Sequence, residues 1–198
     1  TFNGDDSDYA TVIKRLMAID SSEARKDRLR ALLPRSNIEF TPRRRNDIDF
    51  IFLIATPRQG RQIKPTLAFY FAENIPVFAM PSIYDGLVNQ NANRDLNGIV
   101  FSDAPWVLQS ATPLKSAVTS SLRPAQGQQQ RFRALGIDSF QLYTRLQQMA
   151  EQGVDSLQGA TGTLTMGPNQ RIRRELENAQ FIDGLARDFE PRLSNAND

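Results

Sequence analysis

Residues 47–71 read DIDFIFLIATPRQGRQIKPTLAFYF. The run Ile48–Ile54 is almost wholly apolar, and it is too short and too continuous for an amphipathic helix. Bounded by Asp47 and by Ala55-Thr56-Pro57, it reads as a strand buried on both faces, as in a parallel sheet covered by helices. Thr56 suits a helix N-cap, and Pro57 suits the first helical position, where no backbone donor is needed. Ile63, Leu67, Tyr70 and Phe71 follow at helical spacing and should face inward on a helix reaching Ala72, kinked at Pro65. Pro76–Met80 is the next strand, so the unit is a right-handed parallel crossover.

Upstream, Asp5, Asp6, Ser7 and Asp8 precede a helical face of Val12, Ile13, Leu16 and Met17. Acidic residues suit the positive end of a helix, and the spacing of a calcium-binding loop is absent. A second helix is expected from Ser22 to Leu33, with Leu29, Leu32 and Leu33 inward and Pro34 as its stop. A short strand at Ile38 and Phe40 leads to Pro42-Arg43-Arg44-Arg45. These arginines suit either a tether to Asp47 and Asp49 or an outward patch for an acidic partner. The tether is expected for at least one of them.

Downstream, residues 81–97 read as loop and Gly98–Phe101 as a third parallel strand. Thr112-Pro113 caps a helix to Leu122, and a polar loop follows to Gln130. A short helix should close at Gly136, and another should start at Asp138 or Ser139. From Leu157 the period changes to two, with turns at Gly167-Pro168 and Asp183-Gly184, giving antiparallel hairpins.

The 198 residues carry a net charge of +2 and neither His nor Cys. The pI of about 9.1 follows from that gap in titratable types and is weak evidence for a nucleic-acid partner. Disulfides, His- or Cys-ligated metals and His-dependent triads are excluded. An enzyme would need a Ser-Lys or carboxylate mechanism, yet neither Ser82 nor Ser102 has a Lys three residues on. No catalytic residue, metal or cofactor is therefore expected. No run approaches a membrane span, and the opening Thr1-Phe2-Asn3-Gly4 suggests a piece of a longer protein.

Open α/β sheets bind partners beyond the carboxyl ends of their strands. Thr56 and Arg58 lie past the first strand, Ser82, Tyr84 and Asp85 past the second, and Ser102, Asp103 and Trp106 past the third. These eight residues, with Arg43, Arg44 and Arg45, are the candidate contact residues.

The order of these elements resembles the second lobe of a type I periplasmic binding protein. More specifically, the chain resembles the LpoA (LppC) family of penicillin-binding-protein activator lipoproteins. The resemblance rests on SSEARKDRLRALL (21–33), IEFTPRRRNDIDFIFLIATPRQGRQIKP (38–65), PVFAMPSIYDG (76–86), RDLNGIVFSDAPWVL (94–108), ALGIDSFQL (134–142) and GATGTLTMGPNQRIRREL (159–176). It implies a second-lobe α/β unit at 1–105, a helical return belonging to the first lobe at 106–156, and hairpins crossing back at 157–198. The lobe's first strand and helix, and most of the first lobe, would be missing. It further implies a non-catalytic periplasmic regulator that binds a class A penicillin-binding protein, and peptidoglycan as a second partner. Neither nucleic acid nor a cofactor is implied, and the membrane is reached only through an N-terminal lipid anchor absent from this chain. The competing reading is a receptor for an amino-acid-like molecule held near Thr56, Ser82 and Tyr84.

Overall fold

The computed structural model describes residues 8–33, 39–152 and 156–190. The expectations for Thr1–Gly4, Asp5, Asp6, Ser7, Pro34 and Ile38 lie outside them. α1 (Tyr9–Leu16) begins at Asp8, whose carboxylate accepts from the Thr11 amide at 3.1 Å and from its hydroxyl at 2.6 Å. α2 (Ile19–Leu32), β1 (Ile51–Leu53), α3 (Pro57–Phe69), β2 (Val77–Ala79), α4 (Gln90–Asn93) and β3 (Ile99–Asp103) follow. After them come α5 (Pro105–Leu108), α6 (Pro113–Ser121) and α7 (Gln128–Gln152). β4 (Leu157–Gln158), β5 (Thr163–Gly167), β6 (Arg171–Glu175), β7 (Glu177–Ile182) and β8 (Leu185–Asp188) close the chain.

The main sheet has the order β1-β2-β3-β7-β8, and β4-β5-β6 form a second sheet. β1, β2 and β3 are parallel neighbours, with Phe52 opposite Phe78 and Phe78 opposite Val100, as the sequence suggests. β7 runs antiparallel to β3, with Ala179 opposite Phe101. One face of the sheet is core: Leu53, Val77, Ala79, Ile99, Phe101 and Phe181 join Ile13 of α1, Met17 just past its end, and Ile63 and Leu67 of α3. The Phe101 and Phe181 rings stack at 5.0 Å, and Tyr84 stands against both.

The other face corrects the expectation for Ile48–Ile54. Only three residues form β1, and the alternate side chains Phe50, Phe52 and Ile54 are 56–68% exposed. Phe78 and Met80 of the neighbouring segment are exposed as well. β1 is also the edge of the sheet. The continuous apolar run therefore marks a strand that is suited to cover on both sides but is covered on one.

Other departures have local causes. α2 starts at Ile19 and buries Ile19 and Ser22, whereas Leu29, Leu32 and Leu33 are exposed. Phe40 belongs to no strand, and Phe71 turns out to solvent at a φ of 64°, just past the end of α3. The 81–97 segment contains short helical turns at Pro81–Ile83, Gln90–Asn93 and Arg94–Leu96. α7 is one continuous helix that passes through Gly136, and Asp138 is not its cap. The Asp183-Gly184 hairpin turn is present, with φ of 50° and 73°; two successive positive values match the twist of a two-residue hairpin.

Candidate functional site

The loops beyond the strand ends are drawn together mainly by hydrogen bonds within the fold. Thr56 forms a reciprocal capping box with Gln59: its hydroxyl oxygen accepts from the Gln59 amide, while Gln59 Oε1 accepts from the Thr56 amide at 2.9 Å. Ser82 Oγ donates to the Ala55 carbonyl at 2.9 Å and so joins the second strand-end loop to the first. Asp85 accepts from the Leu87 amide, and Ser102 donates to Asn178 Oδ1 at 2.7 Å. Trp106 is buried and its amide donates to the Ala160 carbonyl at 3.0 Å. Lys115 Nζ stands 5.9 Å from the Trp106 ring centre, and burial lowers the lysine's pKa. Arg58 is exposed.

Tyr84 and Asp103 meet a residue the sequence reading did not select. Arg131, one turn into α7, places its guanidinium at the end of β3. Nε donates to Asp103 Oδ1 at 2.9 Å, and Nη2 lies within 2.5 Å of Asp103 Oδ2, 2.7 Å of the Pro81 carbonyl and 2.9 Å of the Tyr84 carbonyl. Asp103 is 1% exposed and the arginine side chain 16%. Asp103 Oδ1 also accepts from the Ala104 amide at 2.8 Å. Burial, and then the Asp85 and Asp103 charges, push the Tyr84 phenol above its usual range. Four of the eight sequence-selected positions thus fall into two groups: Thr56 and Ser82 at the first corner, Tyr84 and Asp103 around Arg131 at the other. Ser102 and Trp106 flank the second group along the chain. No local pattern marks Arg131, because its partner lies 28 residues earlier.

Asp138 is a second buried anchor on the same helix. It accepts from the Ala160 amide at 2.6 Å, the Thr161 amide at 2.7 Å and the Thr161 hydroxyl at 2.5 Å. α7 is therefore pinned to the main sheet through Arg131 and to the β4–β5 loop through Asp138.

Space at the strand ends is small. A cavity of about 270 Å³ lies beside Arg131, lined by Pro81, Asp103, Phe132, Thr161 and Arg174. Another of about 150 Å³ lies beside Trp106 and Lys115. Both fall below the roughly 300–1,000 Å³ usual for small-molecule sites. A larger apolar groove of about 600 Å³ runs along the edge of β1, between α1 and α3.

Of the three successive arginines, Arg45 is tethered. Its Nε and Nη2 donate to the two Asp47 carboxylate oxygens, each at 2.6 Å, while its amide donates to the Met17 carbonyl. Arg44 Nη1 donates to the Arg45 carbonyl, and the Arg43 amide to Ser22 Oγ. The guanidinium holds the Asp47 carboxyl at a pKa of about 2. With the folded value below the unfolded one, the pair's contribution is present above a pH of about 4 and is lost as pH falls through about 2. A carbonyl-carbon NMR titration of Asp47 should place its midpoint near 2, and Arg45→Ala should return it towards about 3.9.

Comparison with known proteins adds the family. Residues 1–184 match the family described as "LppC putative lipoprotein". The chain belongs to the LppC lipoprotein family. Relatives named penicillin-binding protein activator LpoA from Vibrio cholerae and Vibrio vulnificus are 27% and 28% identical over 183 and 180 residues. Both alignments cover 89% of this chain but 29% of the relative, so the chain spans under a third of the length of these relatives. The structure of full-length LpoA from Haemophilus influenzae superposes with a TM-score of 0.62 at 22% identity, covering 73% of this chain and 27% of that one. The C-domain of the same protein, titled a regulator of PBP1A, gives 0.59 at 19% identity, covering 83% and 49%. A structure titled "a putative branched-chain amino acid ABC transporter" from Chromobacterium violaceum gives 0.51 at 23% identity, covering 87% and 64%. The fold of this chain is thus like that of the LpoA C-domain and of periplasmic-binding-protein-like receptors.

Proposed function

We propose that this chain is part of a periplasmic regulator that binds a class A penicillin-binding protein and promotes peptidoglycan synthesis without catalysing a step itself. The observation that carries the reading is the LppC match across residues 1–184, together with relatives named as activators of a penicillin-binding protein. The full-length lipoprotein would be held to the outer membrane by an N-terminal lipid, with peptidoglycan as a second partner. Residues 1–105 would be the second-lobe unit, 106–156 the return belonging to the first lobe, and 157–198 the hairpins crossing back. The pairing of β7 with β3 supports the last assignment.

The receptor alternative finds less support. The strand-end position that a ligand would take holds Arg131, and Thr56 and Ser82 are committed to the capping box and the loop tie. Arg58, Asp85, Arg43 and Arg44 remain candidates for contact with the synthase, whereas Trp106 is buried and Ser102 is tied to Asn178. The test is a cross-linking assay of a class A synthase on lipid-linked precursor, with and without the full-length lipoprotein. Stimulation of cross-linking, with no product formed by the lipoprotein alone, supports the reading. Turnover of precursor or peptidoglycan by the lipoprotein alone overturns it.

A further inference from the structure

The polar atoms at the end of β3 receive the Nε and Nη2 side of a guanidinium group. Asp103 offers both carboxylate oxygens from a position that is 1% exposed, and the Pro81 and Tyr84 carbonyls point at the same nitrogen. Four acceptors converge on this spot, with Arg174 in the lining of the adjoining cavity, and a carboxylate with two converging carbonyls suits a planar, multi-donor cation far better than an anion. The side chain that fills it comes from a different element, α7, rather than from the sheet or its own loops. Beyond the guanidinium lies the cavity of about 270 Å³. Shortening Arg131 would join that space to the vacated one.

We propose that the strand-end crevice is a guanidinium-binding site occupied in cis by Arg131, so that α7 acts as the lobe's own ligand. The occupant takes up the carboxylate that the ammonium group of an amino-acid-like molecule would otherwise pair with. It also ties the orientation of α7 to the sheet. This assignment concerns the chain's own residues and stands whether or not the regulator reading is correct.

The experiment is chemical rescue. Arg131→Ala is prepared in this chain, and its melting temperature is followed against N-ethylguanidinium up to about 20 mM, below concentrations that denature. Ethylammonium and sodium chloride at matched concentration are the controls. The variant's melting temperature should rise with the guanidinium compound and not with either control, while the unmodified chain stays level. Adding Asp103→Asn to Arg131→Ala should abolish the rise. If Arg131→Ala does not accumulate folded, the folded fraction after refolding is read against the same compounds, with the same expected order. Equal responses to all three compounds, no response in the folded variant, or a rise that survives Asp103→Asn would overturn the proposal.

Discussion

Arg131→Ala should cost this chain about 3–5 kcal/mol, the loss typical when one partner of a buried ion pair is removed. The size follows from what remains. Asp103 is 1% exposed and would keep one amide donor, from Ala104, against a full negative charge. The Pro81 and Tyr84 carbonyls would lose a donor as well. Arg131→Ala combined with Asp103→Asn should recover much of that loss, because no unpaired charge is then buried. Urea unfolding of the two single variants and the double measures the coupling. A loss under about 1 kcal/mol for Arg131→Ala would place the pair with solvent-exposed bridges, contrary to its burial.

Asp138→Ala should be nearly as damaging, at about 2–4 kcal/mol. Its carboxylate satisfies two backbone amides and one hydroxyl, and Thr161 is itself buried. Truncation orphans these donors, each buried donor costing about 1–3 kcal/mol when solvent does not reach it. Space is already tight: a methyl group at Gly159 would lie 2.7 Å from the Asp138 carboxylate. Asp138→Asn keeps one acceptor oxygen but turns the other into a donor facing a donor, so it should recover only part of the stability. Hydrogen exchange at the Ala160 and Thr161 amides separates this cause from a general loosening. Both should lose protection in Asp138→Ala well before the β3 amides do.

The contrast between these anchors and the rest of the fold explains what the sequence discloses. Val77, Ile99 and their neighbours announce strands by composition, and Thr56-Pro57 and Thr112-Pro113 announce helix starts by local hydrogen-bond chemistry. Both structural caps are present, Thr112 accepting from the Lys115 amide as Thr56 does from Gln59. The hairpins after Leu157 follow from period-two alternation and from the Asp183-Gly184 turn. All of these signals act within a few residues. Arg131 and Asp138 act across 22 to 50 residues, and nothing near them in the chain distinguishes a buried anchor from a solvated charge. Asp138 resembles a helix cap because the same carboxylate that would accept from its own helix here accepts from a distant loop.

Gly136 illustrates the same limit. A glycine inside a helix costs about 1 kcal/mol relative to alanine and reads locally as a break. With Arg131 fixed on one side and Asp138 on the other, tertiary contacts outweigh that cost and α7 continues. The exposure of Phe50, Phe52 and Ile54 is a different kind of failure. Period and composition reveal that a surface is apolar, and they are silent on which other part of the polypeptide or partner lies against it. The same holds for Leu29, Leu32 and Leu33 of the α2 end.

The central proposal is that this chain contacts a synthase rather than holding a small molecule. The most direct measurement is a binding titration by fluorescence anisotropy. The labelled chain is titrated with the purified periplasmic region of a class A penicillin-binding protein, and in parallel with a panel of amino acids and muropeptides. Saturable binding to the synthase region, with no response to the amino acids, is the result expected. Saturable binding of an amino acid, with no response to the synthase region, would contradict the account and make the chain a receptor.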